Sequence, residues 1–338
     1  MVGEKENKIQ LPGVAETSAQ ADYEAGFEEY YVREVKPTID ALEVKRLQAI
    51  NDVGRRLRWA VPMIIAILAV GYLVFPHSLA TKSERDNAEL LMIGLGIAIA
   101  GVGLWVTKPQ RDYKMRRQGL LIPKIIRYFG DFSYKAESPL TKDDIRASRI
   151  VPCEGIEVEL AAEDQIEGNY HGVAVSAAEV STSAKKSGQK GRQLLFHGLY
   201  VMLEFDRKFH GVTVVDGERG QARVYAQAGQ LETVSLEDPD FEKAFEVTST
   251  DQVEARFLLS PEFMQRLVEL RNVRAGSGLR CSFIDRKLHI AIPSAFGLFE
   301  MTGTGKPAGD TDDVKKVLRQ MHNILEIVDI LKLKDSAQ

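Results

Sequence analysis

Residues 59–75 read WAVPMIIAILAVGYLVF and residues 90–106 read LLMIGLGIAIAGVGLWV. Each run is 17 residues long and uncharged, which is at the lower edge of what crosses a bilayer core as a helix. Only the polar stretch PHSLATKSERDNAE separates them, so the pair reads as a transmembrane helical hairpin over residues 59–106. Trp59, Tyr72, Phe75 and Trp105 stand near the ends of the runs, where aromatic rings favour the headgroup level. Neither run carries an ionisable side chain, which argues against a proton relay or ion pathway within the membrane.

The charges around the hairpin set its direction. Lys45, Arg46, Arg55, Arg56 and Arg58 precede the first run, and Lys108, Arg111, Lys114, Arg116 and Arg117 follow the second. The linker holds only Lys82 and Arg85, so the positive-inside rule places both termini in the cytoplasm. Of these cations, Arg55, Arg56, Arg58, Arg116 and Arg117 are the expected contacts to lipid headgroups, each contributing about 1 kcal/mol near an anionic leaflet. The first apolar run begins too far along the chain for a cleavable signal, so the hairpin is expected to be retained. In the second run Gly94 and Ala98, or Gly96 and Ala100, share a face that lets another helix approach closely. Ala66 and Ala69 of the first run are the nearest partner, and a second copy of the chain is the alternative.

The remainder has a globular composition: 338 residues, 44% hydrophobic, 27% charged, with a formal net charge of −4. That balance argues against a nucleic-acid partner, which demands a basic surplus. Cys153 and Cys281 lie far apart without CxxC spacing, and the six histidines show no ligand spacing, so no metal is expected. The stretch Gly303-Thr304-Gly305-Lys306 mimics a phosphate loop, but Glu300 replaces its first glycine and Pro307 its magnesium-binding hydroxyl. No GxSxG pentapeptide occurs. No cofactor and no catalytic residue are assigned, and the chain reads as non-enzymatic.

The expected organisation is α+β: a transmembrane helical hairpin followed by a cytoplasmic domain of antiparallel β-hairpins covered by helices. Residues 1–20 are polar and aperiodic, a disordered tail. Over 21–58 a cytoplasmic amphipathic helix places Ile39, Leu42, Leu47, Ile50, Val53 and Leu57 on one side. It lies on the inner leaflet, packs on its neighbour after the second span, or simply continues into the membrane. Residues 107–129 form a basic juxtamembrane helix interrupted by Pro123, and 130–302 form the α+β domain. Within it, Thr141 and Asp144 make a capping box, and 155–160 and 171–176 alternate as strands. Residues 183–193 form a hairpin tip, with lipid contact as the alternative. Strands 199–205 and 212–215 pair through Asp206-Arg207-Lys208. Strand 279–284 and the run after it pair through Asp285-Arg286-Lys287, which suggests a duplicated unit. A linker at 303–310 leads to a C-terminal helix, 311–334, whose Val314, Val317, Met321, Ile324, Val328 and Leu331 form a short seam. That seam either docks on its own domain or dimerises.

The stretch DPDFEKAFEVTSTDQVEARFLLSPEFMQRLVEL, 238–270, reads as three short helices with breaks between them. Asp251, Glu254 and Arg256 are its compact charged cluster. The trio is either a ligand-binding or catalytic group, or a helix cap with a buried ion pair holding the breaks. This stretch, with Gly168, Tyr170 and Gly172 in a G-x-Y-x-G pattern and Phe196, Gly198, Leu199 and Tyr200 in F-x-G-L-Y, resembles the bacterial family catalogued as domain of unknown function 3137. The resemblance runs from about residue 30 to about 330, with His171 as a departure inside the glycine pattern. It implies a bacterial inner-membrane protein with a cytoplasmic domain and no known activity. The partners expected are therefore the lipid bilayer and a protein not identifiable from the chain. Recognition of a small anion or lipid headgroup is the alternative function, and a membrane-bound enzyme the second alternative.

Overall fold

The computed structural model describes residues 26–75, 82–153, 157–185, 191–217, 231–275, 278–295 and 297–331. The expected tail at 1–20 and the tip at 186–190 lie outside the described residues. α1 (Phe27–Tyr30) passes through a π-turn into α2 (Lys36–Val74), and α3 runs from Lys82 to Ile126. At 39 and 45 residues, α2 and α3 are about 58 and 67 Å long, roughly twice a ~30 Å hydrocarbon layer. Both are long and apolar enough to cross a membrane. Val61, Ile65, Leu68, Leu90 and Ile97 are each more than half exposed along them.

Because the helices are continuous, the boundaries expected at 58 and 107 do not exist as breaks, and residues 82–89 of the expected linker are helical. Pro109 and Pro123 sit inside α3 without ending it. A helical proline strands the carbonyl four residues before it, and for Pro109 that is Trp105. Arg56 of α2 donates to this carbonyl at 2.7 Å and lies over the Trp105 ring. The spans meet through Ala60, Val102 and Val106, with Val53, Ile64 and Ile67 beside them. Gly94 and Ala98 line a cleft with Ala66, Ile67 and Val70 of the first span, while a side chain at Gly96, Gly101 or Gly103 would meet nothing within 4 Å.

Beyond the apolar runs both helices enter the body. Val35, Ile39 and Leu42 of the first, and Tyr113, Leu121, Ile122, Ile125 and Ile126 of the second, belong to its main core. Of the alternatives for residues 21–58, two are observed together over the described part: α2 packs on the helix after the second span and continues unbroken into the apolar run. One antiparallel sheet carries nine strands among the described residues, in the order β1-β2-β3-β4-β9-β8-β5-β7-β6. They are β1 Phe132–Glu137, β2 Val158–Tyr170, β3 Val173–Lys185, β4 Arg192–Glu204, β5 Val212–Asp216, β6 Glu232–Thr233, β7 Glu246–Ser249, β8 Arg280–Ile284 and β9 Lys287–Pro293.

The near face of the sheet is covered by α3, α7 (Pro261–Leu270) and α8 (Thr311–Leu331). On the far face, α4 (Lys142–Ser148) buries Ile145 with Ile150, Val151, Phe196 and Tyr200. The remaining helices are α5 (Pro239–Ala244) and α6 (Gln252–Leu258). Side chains start these short helices as the sequence predicts: the Thr141–Asp144 capping box opens α4, and Asp238, Asp251 and Ser260 cap α5, α6 and α7.

Two motif glycines have geometric reasons. His171 and Gly172 form the two-residue β2–β3 turn with φ of 51° and 86°, the positive values a tight hairpin requires. A side chain at Gly198 would run into the Ile292 carbonyl of β9.

Two expectations are corrected here. The first DRK segment does not join a hairpin: β4 pairs with β9, and β5 pairs with β8 and β7. Only Asp285-Arg286 closes a hairpin, with Ile284 opposite Lys287, and this hairpin lies between β4 and β5. The Phe205 and Phe209 amides donate to the Arg286 and Asp285 carbonyls, so the first segment wraps the second turn instead of repeating it. The stretch 303–310 is not a free linker either, since Thr304 and Ala308 are buried.

Candidate functional site

The charged trio resolves into separate structural tasks. Asp251 accepts from the Val253 and Glu254 amides and caps α6. The Glu254 carboxylate accepts from the amides of His210 and Gly211, pinning the chain ahead of β5. Arg256 turns back to the Gln252 carbonyl and side chain at 3.4 Å. The cap is present and the buried ion pair is not, so these residues do not converge on a ligand.

The five expected headgroup cations divide as well. Arg58 and Arg116 are exposed, Arg55 is exposed beside Asp52 at 2.8 Å, and Arg56 is engaged by Trp105. Arg117 is fully buried and cannot touch lipid. Its Nη1 donates to Asp313 Oδ2 at 2.6 Å and to the Thr302 carbonyl at 2.7 Å, and its Nη2 to the Ala308 carbonyl at 3.1 Å. Thr302 donates from its amide and hydroxyl to the two Asp313 oxygens. A guanidinium presents several donors in a rigid fork, and here the fork gathers the 302–308 loop and the start of α8 onto the helix from the second span.

α2 holds the same loop from the other side. Arg46 donates to Glu43 at 2.7 Å and to the Thr304 carbonyl at 3.0 Å, and the Ala308 amide donates to Glu43 Oε2 at 2.7 Å. Those bonds, from Arg46 first and then the Ala308 amide, hold the Glu43 carboxyl below the usual carboxylate range. The six seam residues of α8 are all buried in this chain. In this chain the helix docks on its own domain through that seam.

A water-open cavity of about 240 Å³ lies between β3, β4, β9 and α8. Leu199, Ile292, Leu298, Ile324 and Ile327 supply apolar walls, and Glu179, Gln320 and Asn323 bring polar side chains. His197 stands behind Glu179. Its Nδ1 lies 2.7 Å from the Ser294 carbonyl and its Nε2 3.0 Å from Glu179 Oε1. The other Glu179 oxygen accepts the Leu298 amide.

Nearby, a bulge in β2 holds Asp164 at a φ of 52° and lets it accept the Tyr134 hydroxyl. Burial pushes the Asp164 carboxyl up to about 6, opposed by the Tyr134 bond and reinforced by the charges of Glu179 and Glu163. Burial also raises the Tyr134 phenol. Among the described residues no three His, Cys, Asp or Glu side chains are grouped to hold a metal ion.

The sequence carries a signal for Glu179. Val173, Val175, Ala177 and Glu179 alternate onto one face of β3, so a carboxylate falls where the pattern calls for an apolar side chain. Asp313 gave no such signal, because acidic residues are ordinary in the first turn of a helix.

Compared with known proteins, residues 194–333 match the family model described as "Protein of unknown function (DUF3137)". None of the curated proteins compared matches the chain. Among solved structures, the one titled "crystal structure of the mycobacterial trehalose monomycolate transport factor A, TtfA" is similar at 12% identity and a TM-score of 0.31, over 63% of this chain and 96% of that one.

Proposed function

We propose, from the match of residues 194–333 to the DUF3137 family model, that the chain is a non-enzymatic scaffold holding a partner protein at the cytoplasmic face of the inner membrane. One observation carries this reading: the two apolar helices run without interruption into the core of the body, where Arg117, Glu43 and Arg46 fasten them to the loop that begins α8. A partner bound to the body is thereby held at a fixed height and orientation. The basic flanks support cytoplasmic termini. His197 supports a non-catalytic body, because both its nitrogens are turned to internal acceptors and none is left for a substrate proton.

The test is topological and biochemical. Full-length protein should stay with membranes after carbonate washing. Protease outside intact cells should leave the body whole, while inside-out vesicles should lose it. Cross-linking in membranes should then capture one stoichiometric partner. Recovery of the protein in the supernatant, or cleavage of the body from outside, would overturn the reading, as would turnover of a substrate by the full chain.

The exposed Arg58 and Arg116 favour a second reading, contact with anionic lipid headgroups at the membrane boundary. Association of copies through the open glycine-rich face of α3 is a further proposal, and cross-linking in native membranes would read it.

A further inference from the structure

We propose that the cavity between β3, β4, β9 and α8 is a binding site for a small organic ammonium with an aliphatic body, its head on Glu179. This does not rest on the scaffold reading and holds for a body on either side of a membrane. At about 240 Å³ the cavity falls below the ~300–1,000 Å³ of drug-sized sites, so its ligand is small. The walls fix the ligand's character. Leu199, Ile292, Ile324 and Ile327 form an apolar trough, and Val273 stands more than half exposed beside it.

The sign of the head follows from the polar lining. Among the described residues Glu179 is the one charged side chain lining the cavity, with His197 behind it and outside the lining. A carboxylate offers about four acceptor positions. Glu179 spends one oxygen on His197 and the other on the Leu298 amide, which leaves lone pairs for a further donor. Gln320 is already committed: its Oε1 accepts the Phe299 amide at 3.0 Å and its Nε2 donates to the Gly297 carbonyl at 3.2 Å. Asn323, half-buried in the lining, provides a second polar contact.

The experiment uses full-length protein in lipid nanodiscs with ¹³C-labelled Ile and Leu methyl groups. Three probes of one shape are titrated: cyclohexylmethylammonium, cyclohexylmethanol and cyclohexanecarboxylate. The ammonium should produce saturable shifts at Ile292, Ile324 and Ile327. The alcohol should bind at least about 10-fold more weakly, which is 1.4 kcal/mol or more, and the carboxylate should not bind. E179Q should erase the preference of ammonium over alcohol, and N323W should block both by filling the lining. Should E179Q fail to fold, the charge series on the unaltered protein decides alone. Equal binding of the carboxylate, unchanged ammonium affinity in E179Q, or no saturable shift at these methyls would overturn the proposal.

Discussion

Each face of the sheet buries an arginine–aspartate pair, and the two pairs do different work. On the far face Arg280 and Asp216 stand opposite each other on β8 and β5, 3.3 Å apart, inside a ladder that already fixes their positions. On the near face Arg117 and Asp313 join α3 to α8 with no ladder behind them, and the same guanidinium holds the Thr302 and Ala308 carbonyls. Losing a pair backed by a ladder leaves its strands paired, although Arg280 also reaches the Ile150 carbonyl at 3.4 Å. Losing Arg117 frees a loop, the start of a helix and a buried carboxylate together.

The largest effect is therefore expected there. R117A should lower stability by about 3–5 kcal/mol, the usual cost of leaving one partner of a buried pair uncompensated. Denaturation in nanodiscs measures it. R117M combined with D313L should recover most of the loss, since well-packed apolar replacements of such pairs are often neutral. A double variant no better than R117A would mean that the two backbone carbonyls, and not the aspartate, dominate.

The faces also differ in their response to acid. On the far face, burial and then the charge of Lys287 depress His289 to about 4, and its Nδ1 lies 2.8 Å from the Tyr200 hydroxyl. The unfolded chain takes up that proton near pH 6.5 and the folded chain only near 4, so stability falls as pH drops across that window. The shift corresponds to about 3 kcal/mol, and H289N should remove it.

On the near face Asp164 behaves in the opposite sense. Its carboxyl, raised to about 6, takes up a proton in the folded chain before the unfolded chain does. Stability therefore rises as pH falls from about 6 to about 4. Partial exposure screens this to about 1–2 kcal/mol. The two effects oppose each other, so the unaltered protein should show a shallow acid profile. D164N should steepen its acid loss and H289N should reverse it. Parallel profiles for both variants would sink this assignment.

How much of this was legible in the sequence depends on the range of the physics. Local signals are legible: the two apolar runs, the capping box at Thr141, the Asp251 cap and the α8 seam each lie within a few residues of what they specify. Strand pairing was not local. Asp206-Arg207-Lys208 and Asp285-Arg286-Lys287 are the same tripeptide, yet only the second closes a hairpin, because β9 takes the edge of β4 that a local return strand would have used. The site suffered similarly. Glu179 shares the cavity wall with Ile292, Asn323 and Ile327, more than 100 positions later, and nothing in a single pass along the chain joins them.

The smallest effect separates two neighbours that composition cannot tell apart. Arg116 and Arg117 both belong to the basic flank, but the step of about 100° between consecutive helix positions points Arg117 into the body and leaves Arg116 in solvent. R116A should leave the denaturation midpoint in zwitterionic nanodiscs unchanged. Anionic lipid should raise the midpoint of the unaltered protein, and R116A should reduce that rise. High salt should abolish the rise in both, because exposed charges are screened beyond about 3 Å at 1 M. A loss in zwitterionic lipid comparable to that of R117A would place Arg116 in the lock instead of at the lipid.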